Sequence, residues 1–137
     1  MKAHEISIKA LVDVVAVLSN DTLQGNVHLM DTNKLNGSIN EGTLVLETAV
    51  KEGDELIWST FGLETESYVE ISDITVNFEF LNKPIRKVYD GTNISYWESK
   101  VIKTPTGKIP YSIRFYVGSS GAIFSTIKGP SIKPINI

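Results

Sequence analysis

Residues 109–117 read IPYSIRFYV. Ile109, Tyr111, Ile113, Phe115 and Val117 fall on one face of this run, and Pro110, Ser112, Arg114 and Tyr116 on the other. A period of two carried by β-branched and aromatic side chains describes a strand, because a helix would scatter the same residues around its surface. A strand with one apolar face needs a sheet around it and a second layer over that face. The rest of the chain supplies both. Residues 43–50 alternate in the same way, with Leu44 and Leu46 on one side and Thr43, Val45 and Glu47 on the other. Lys51-Glu52-Gly53-Asp54 then has turn chemistry, since glycine accepts positive φ and aspartate can bond its own backbone. Extended structure resumes over 55–60 around Ile57 and Trp58.

Residues 68–81 carry a change of phase. Val69 and Ile71 share one parity, whereas Ile74, Val76, Phe78 and Phe80 share the other. One regular strand cannot turn both sets to the same core, so a bulge at Ser72-Asp73 is expected. Further strands are expected over 6–18, 27–31, 85–89, 96–103, 122–127 and 131–137. Turn signals separate them: Asn36-Gly37, Asp90-Gly91, Thr104-Pro105-Thr106-Gly107, Gly118 to Gly121 and Gly129-Pro130. Asn36-Gly37, between Leu35 and Ile39, reads as a hairpin turn. Only 6–18 has a competing helical spacing, in Ile8, Leu11, Val12 and Val15, and its valines and isoleucines favour a strand. The expectation is an all-β fold: an antiparallel β-sandwich, Greek-key or jelly-roll-like, as one domain over 1–137.

At 137 residues the chain can bury about two-thirds of its unfolded surface. Its 42% hydrophobic and 21% charged residues are those of an ordinary globular domain. No apolar run approaches the ~20 residues that span a bilayer, and the opening MKAHEISIKA lacks the apolar stretch of a secretory signal. The chain has 13 Lys and Arg against 16 Asp and Glu, and its one basic cluster is Lys83, Arg86 and Lys87. That falls far short of the cationic stripe that neutralises a phosphate backbone, which argues against nucleic acid as a partner. With no cysteine, disulfides, zinc–thiolate sites and thiol nucleophiles are excluded together, and a reducing cytoplasm suits the chain.

Chemical motifs are sparse. His4 and His28 have no second ligand at metal-binding spacing, and no Gly-x-Ser-x-Gly elbow is present. Gly118-Ser119-Ser120-Gly121 lacks the lysine and helix of a phosphate loop and reads as a hairpin turn. Glu64 and Glu66 have the composition of a glycosidase pair but read as solvated loop residues. Asp54, Asp73 and Asp90 offer oxygen ligands without calcium-loop spacing. No metal and no cofactor is therefore expected. Asn20, Asn36 and Asn93 head glycosylation-type triplets that read as turns. The segment 90–98 stands apart, because it sets amide, carboxylate and hydroxyl groups beside Tyr96 and Trp97. Sugar binding uses this mixture: planar groups bond adjacent hydroxyls while an aromatic face covers the C–H side of the ring. The competing reading places Trp97 in the core.

The run Gly42-Thr43-Leu44-Val45-Leu46, followed by Val50 to Trp58 through the Gly53-Asp54 turn, resembles the bacterial PixA/AidA inclusion-body protein family. Tyr68 to Ile71, Trp97, Tyr111 to Val117, Gly121 to Phe124 and Gly129-Pro130-Ser131-Ile132 extend the likeness over about 40–137, although Gly129 stands where the family usually has Asp. The resemblance implies a cytoplasmic, non-enzymatic β-sandwich that accumulates in inclusions, with a lectin-like branch. It makes a glycan or small sugar the expected ligand, held by Asp90, Asn93, Tyr96 and Trp97, in a homodimer or larger homo-oligomer with no nucleic acid and no membrane insertion. The alternative is a self-associating structural or storage protein without a small ligand.

Overall fold

The computed structural model describes residues 4–64, 66–126 and 129–135. In chain order the elements are β1 (Glu5–Val12), α1 (Val14–Asn20), β2 (Val27–Asp31), a single 3-10 turn (Lys34–Asn36), β3 (Glu47–Val50), β4 (Glu55–Gly62), β5 (Val69–Thr75), β6 (Ile85–Val88), β7 (Ser95–Lys100), β8 (Ile109–Pro110), β9 (Ser112–Val117), β10 (Ala122–Ser125) and β11 (Ser131–Pro134). They form a five-stranded sheet, β2-β1-β4-β7-β6, and two three-stranded sheets, β10-β9-β5 and β3-β11-β8. The chain is mostly β, as its alternation requires. The expected wholly antiparallel pairing is not found: most pairs are antiparallel, but β1 runs parallel to β4, and β3 to β11. Long connections separate the members of each pair, which is the condition parallel pairing needs.

The expected strand over 6–18 stops at Val12. The Asp13 carboxylate accepts the Ala16 N–H at 3.1 Å, and the Glu64 carboxylate accepts the Val14 N–H at 3.1 Å. With two N-terminal amides satisfied, the valines that follow enter a helix despite their β preference. Val14 and Val17, three apart, are its buried residues. Asn36-Gly37 makes no hairpin. Gly37, at φ +115°, closes the 3-10 turn, and the Asn33 side chain ties the segment to Ala49 O. The expected strand over 43–50 shortens to β3, because residues before Glu47 are held by irregular contacts.

Other expectations hold. The register of β5 against β9 shifts between Ile71 and Asp73, so Ser72 is the extra residue and both Ile71 and Ile74 are buried. β5 nevertheless ends at Thr75. The Asn77 carboxamide accepts the Glu79 N–H and turns the chain, leaving Phe78 exposed while Val76 and Phe80 are buried. Gly53, at φ +96°, and Asp54, which accepts the Lys51 N–H, make the predicted turn. Gly118 to Gly121 joins β9 to β10 as a hairpin. The run 109–117 breaks at Tyr111, so β8 pairs with β11 while β9 joins β10 and β5. Strands β10 and β11 end at Ser125 and Pro134; Ile127, Asn136 and Ile137 lie outside the described residues.

One buried cluster draws on all three sheets, with Trp58, Phe115, Ile6, Leu56 and Ile132 among its side chains. Two indoles tie the sheets together: Trp58 donates to the Tyr111 hydroxyl at 3.2 Å, and Trp97 donates to Ile71 O at 3.2 Å.

Candidate functional site

The predicted sugar-binding residues do not converge. Asp90 and Asn93 sit exposed in the β6–β7 loop, which closes on itself through Tyr89 N to Ile94 O and Thr92 Oγ1 to Tyr89 O. Tyr96 lies outward against Tyr89, with ring centroids 4.4 Å apart. Trp97, the next residue in β7, points the other way, as alternation dictates. It is 9% exposed and hydrogen-bonded to Ile71 O, so its ring belongs to the core and offers no stacking platform from outside.

The remaining candidates either have local partners or stand exposed on separate elements. His4 is exposed, and His28 Nδ1 lies 3.0 Å from Gly42 O. Glu64 caps α1 while Glu66 is exposed. Asp54 is buried within its turn, whereas Asp73 and Asp90 are exposed on separate elements. Among the described residues no group of three or more His, Asp or Glu side chains is placed to hold a metal.

Two features emerge that local sequence did not disclose. The first is a carboxyl pair beneath the long β2–β3 connection. Asp31 accepts from Asn33 N–H and from the Thr48 hydroxyl at 2.7 Å, and Glu41 accepts the Asp31 N–H at 2.8 Å. The second oxygen of Glu41 is buried without a partner. Burial raises the Glu41 pKa above its ordinary value, and the neighbouring Asp31 carboxyl adds to the rise. Nearby, burial also pushes the Tyr111 phenol far up. The pair fastens the connection to the sheet; its partners lie 10 and 17 residues apart in the chain.

The second feature is a cleft of about 880 Å³ lined by residues 21–24, 44–45 and 123–126. Its apolar lining comes from Leu23, Leu44, Val45, Ile123 and Phe124, with Asp21, Thr22, Gln24, Ser125 and Thr126 as polar groups. Ile123 and Val45 are 58% and 44% exposed. Three consecutive residues of β10, Ile123 to Ser125, and the adjoining Thr126 line it, so the cleft runs along the edge of β10. Three distant segments build it, which is why no sequence pattern announced it. It can take an extended chain or an apolar body of similar size.

The crystal structure of the inclusion body protein PixA from Burkholderia cenocepacia J2315 has the same fold: TM-score 0.65, 12% identity, 98% of this chain and 94% of that chain covered. The resemblance read from 42–58 and the C-terminal strands thus holds as a PixA-type fold. No curated protein matches the sequence. A family model described as a domain of unknown function (DUF8788) matches residues 4–122, and the chain belongs to that family.

Proposed function

We propose that this DUF8788 protein is a self-associating structural protein of the inclusion-body type, a cytoplasmic β-sandwich whose work is assembly rather than catalysis. The observation that carries the reading is the shared fold, nearly end to end, with a protein known as an inclusion body protein. The sandwich description is supported by a five-stranded and two three-stranded sheets turning apolar faces to one core. The surface is consistent with association. Exposed large apolar side chains include Leu63, Phe78 and Ile123. The lectin-like alternative has less behind it, because Trp97 is in the core.

The test is production in a bacterial cytoplasm, followed by recovery of particles under native conditions. Trp58 and Trp97 are buried, so assembly of folded chains keeps blue-shifted tryptophan emission inside the particles. Particles with that emission that redissolve as folded protein are expected. A chain that stays monomeric at every concentration would refute the reading.

A further inference from the structure

Among the described residues the fold has six sheet-edge strands, and natural sheets blunt such edges to avoid uncontrolled pairing. Five of the six are blunted. On β2, Leu29 exchanges backbone hydrogen bonds with the 42–43 segment. On β3, Ile39 bridges to Glu47 and the Ser38 hydroxyl takes the Ala49 N–H. β5 carries Glu70, Asp73 and a bulge, and the Trp97 indole occupies Ile71 O. β6 carries Arg86 and Lys87 just after Pro84, and β8 is two residues long and contains Pro110. β10 is the exception: Ala122–Ser125 has no charge and no proline, and the apolar cleft runs beside it.

The hydrogen-bond parity of β10 is fixed by its neighbour. Thr126 N–H donates to Ile113 O, continuing the register in which Ala122 faces Val117 and Phe124 faces Phe115. Main-chain groups alternate sides along a strand, so Ile123 and Ser125 direct N–H and C=O away from β9, into the cleft.

We propose that β10 pairs antiparallel with β10 of a second copy about a two-fold axis at Phe124, merging two three-stranded sheets into one. Resting on the self-associating reading, this identifies its interface. In that register Ile123 faces Ser125 of the other copy, and every outward N–H and C=O of these two residues finds a partner. Phe124 meets its own counterpart across the axis, in the closer type of antiparallel pair. A neutral strand suits a neutral twin, whereas β6 paired with itself would oppose Arg86 and Lys87 to like charges. The contact is isologous and closed, so it yields a dimer from which larger assemblies are built by other surfaces.

Sedimentation velocity from micromolar to millimolar protein, with amide hydrogen exchange read at Ile123 and Ser125, tests the pairing. Exchange at both amides is expected to slow as dimer forms. Ser125→Pro removes an outward N–H without costing a bond to β9, and Ile123→Lys puts charge on an exposed position. Each is expected to weaken dimerisation about tenfold or more, while Ile85→Lys on β6 leaves it unchanged. Circular dichroism reports whether each variant is folded, and the wild-type exchange data decide if one is not. A wild-type chain that associates with both amides exchanging freely would overturn the β10 interface and leave self-association standing. A wild-type chain that never associates would overturn both.

Discussion

Trp97→Ala separates the two roles that the sequence leaves open for this residue. Trp97 is 9% exposed, and its indole N–H meets Ile71 O on the far sheet. An aromatic side chain buries roughly 200 Å², worth about 5 kcal/mol at about 25 cal/mol per Å². Compactness of the unfolded chain lowers that figure. Measured Trp-to-Ala changes cost about 3–5 kcal/mol, so about 4 kcal/mol is expected here. Trp97→Phe keeps most of the packing but strands the Ile71 carbonyl, and should cost about 1–2 kcal/mol. Urea unfolding followed by the fluorescence of Trp58, which stays buried, gives both numbers. With a slope of about 2 kcal/mol per molar, Trp97→Ala should move the midpoint down by about 2 M. A shift below about 0.5 M would refute the core assignment and return Trp97 to the surface, where a sugar could stack on it.

Glu41→Gln is expected to stabilise the protein at neutral pH. Burial raises the Glu41 pKa, so its contribution is fully present below its ordinary value of 4.5 and is lost as pH rises through the folded value. Thermal unfolding should therefore show the variant's advantage shrinking on acidification; a lower Tm at neutral pH would contradict the pair. Glu64→Ala should cost about 1 kcal/mol by leaving the Val14 amide uncapped, while Glu66→Ala changes stability by less than about 0.5 kcal/mol. Equal effects in denaturant melts would refute the capping role. Gly118→Ala and Gly121→Ala both force a side chain into left-handed backbone at φ +81° and +74°, costing about 1–2 kcal/mol. Gly118→Ala should cost more, because its new Cβ would meet Leu18 Cδ1 at 3.0 Å while Gly121 faces open space.

Where sequence reading succeeded, the determinants were local. Alternation in 109–117 and the phase change at Ser72 are properties of neighbouring residues, and they predicted the inward faces of β5 and β9 correctly. Where it failed, a distant group decided the outcome. Residues 14–20 have strand-like composition, but Glu64, fifty residues away, accepts the first helical amide. Asn36-Gly37 has hairpin chemistry, but the Asn33 bond to Ala49 O commits the segment to a 3-10 turn. The Asp31–Glu41 pair was invisible for the same reason: each carboxylate looks like an ordinary turn residue until the β2–β3 connection folds back.

The proposed association surface shows this dependence most clearly. A run such as Ala-Ile-Phe-Ser carries no motif, and in a central strand its lack of charge would be unremarked. It acquires meaning only from the order β10-β9-β5, which leaves β10 at an edge, and from the Thr126 bond to Ile113 O, which fixes the parity that sends the amides of Ile123 and Ser125 outward. The charge on β6 has the complementary meaning: Arg86 and Lys87 form ion pairs with Glu70 and Glu98 at the opposite kind of edge, a charged one. Composition alone pointed to the Asp90–Trp97 loop because it is polar and aromatic, the usual marks of a binding surface. Topology instead favours a short apolar strand, because main-chain groups without partners bind more generally than side chains that already have them.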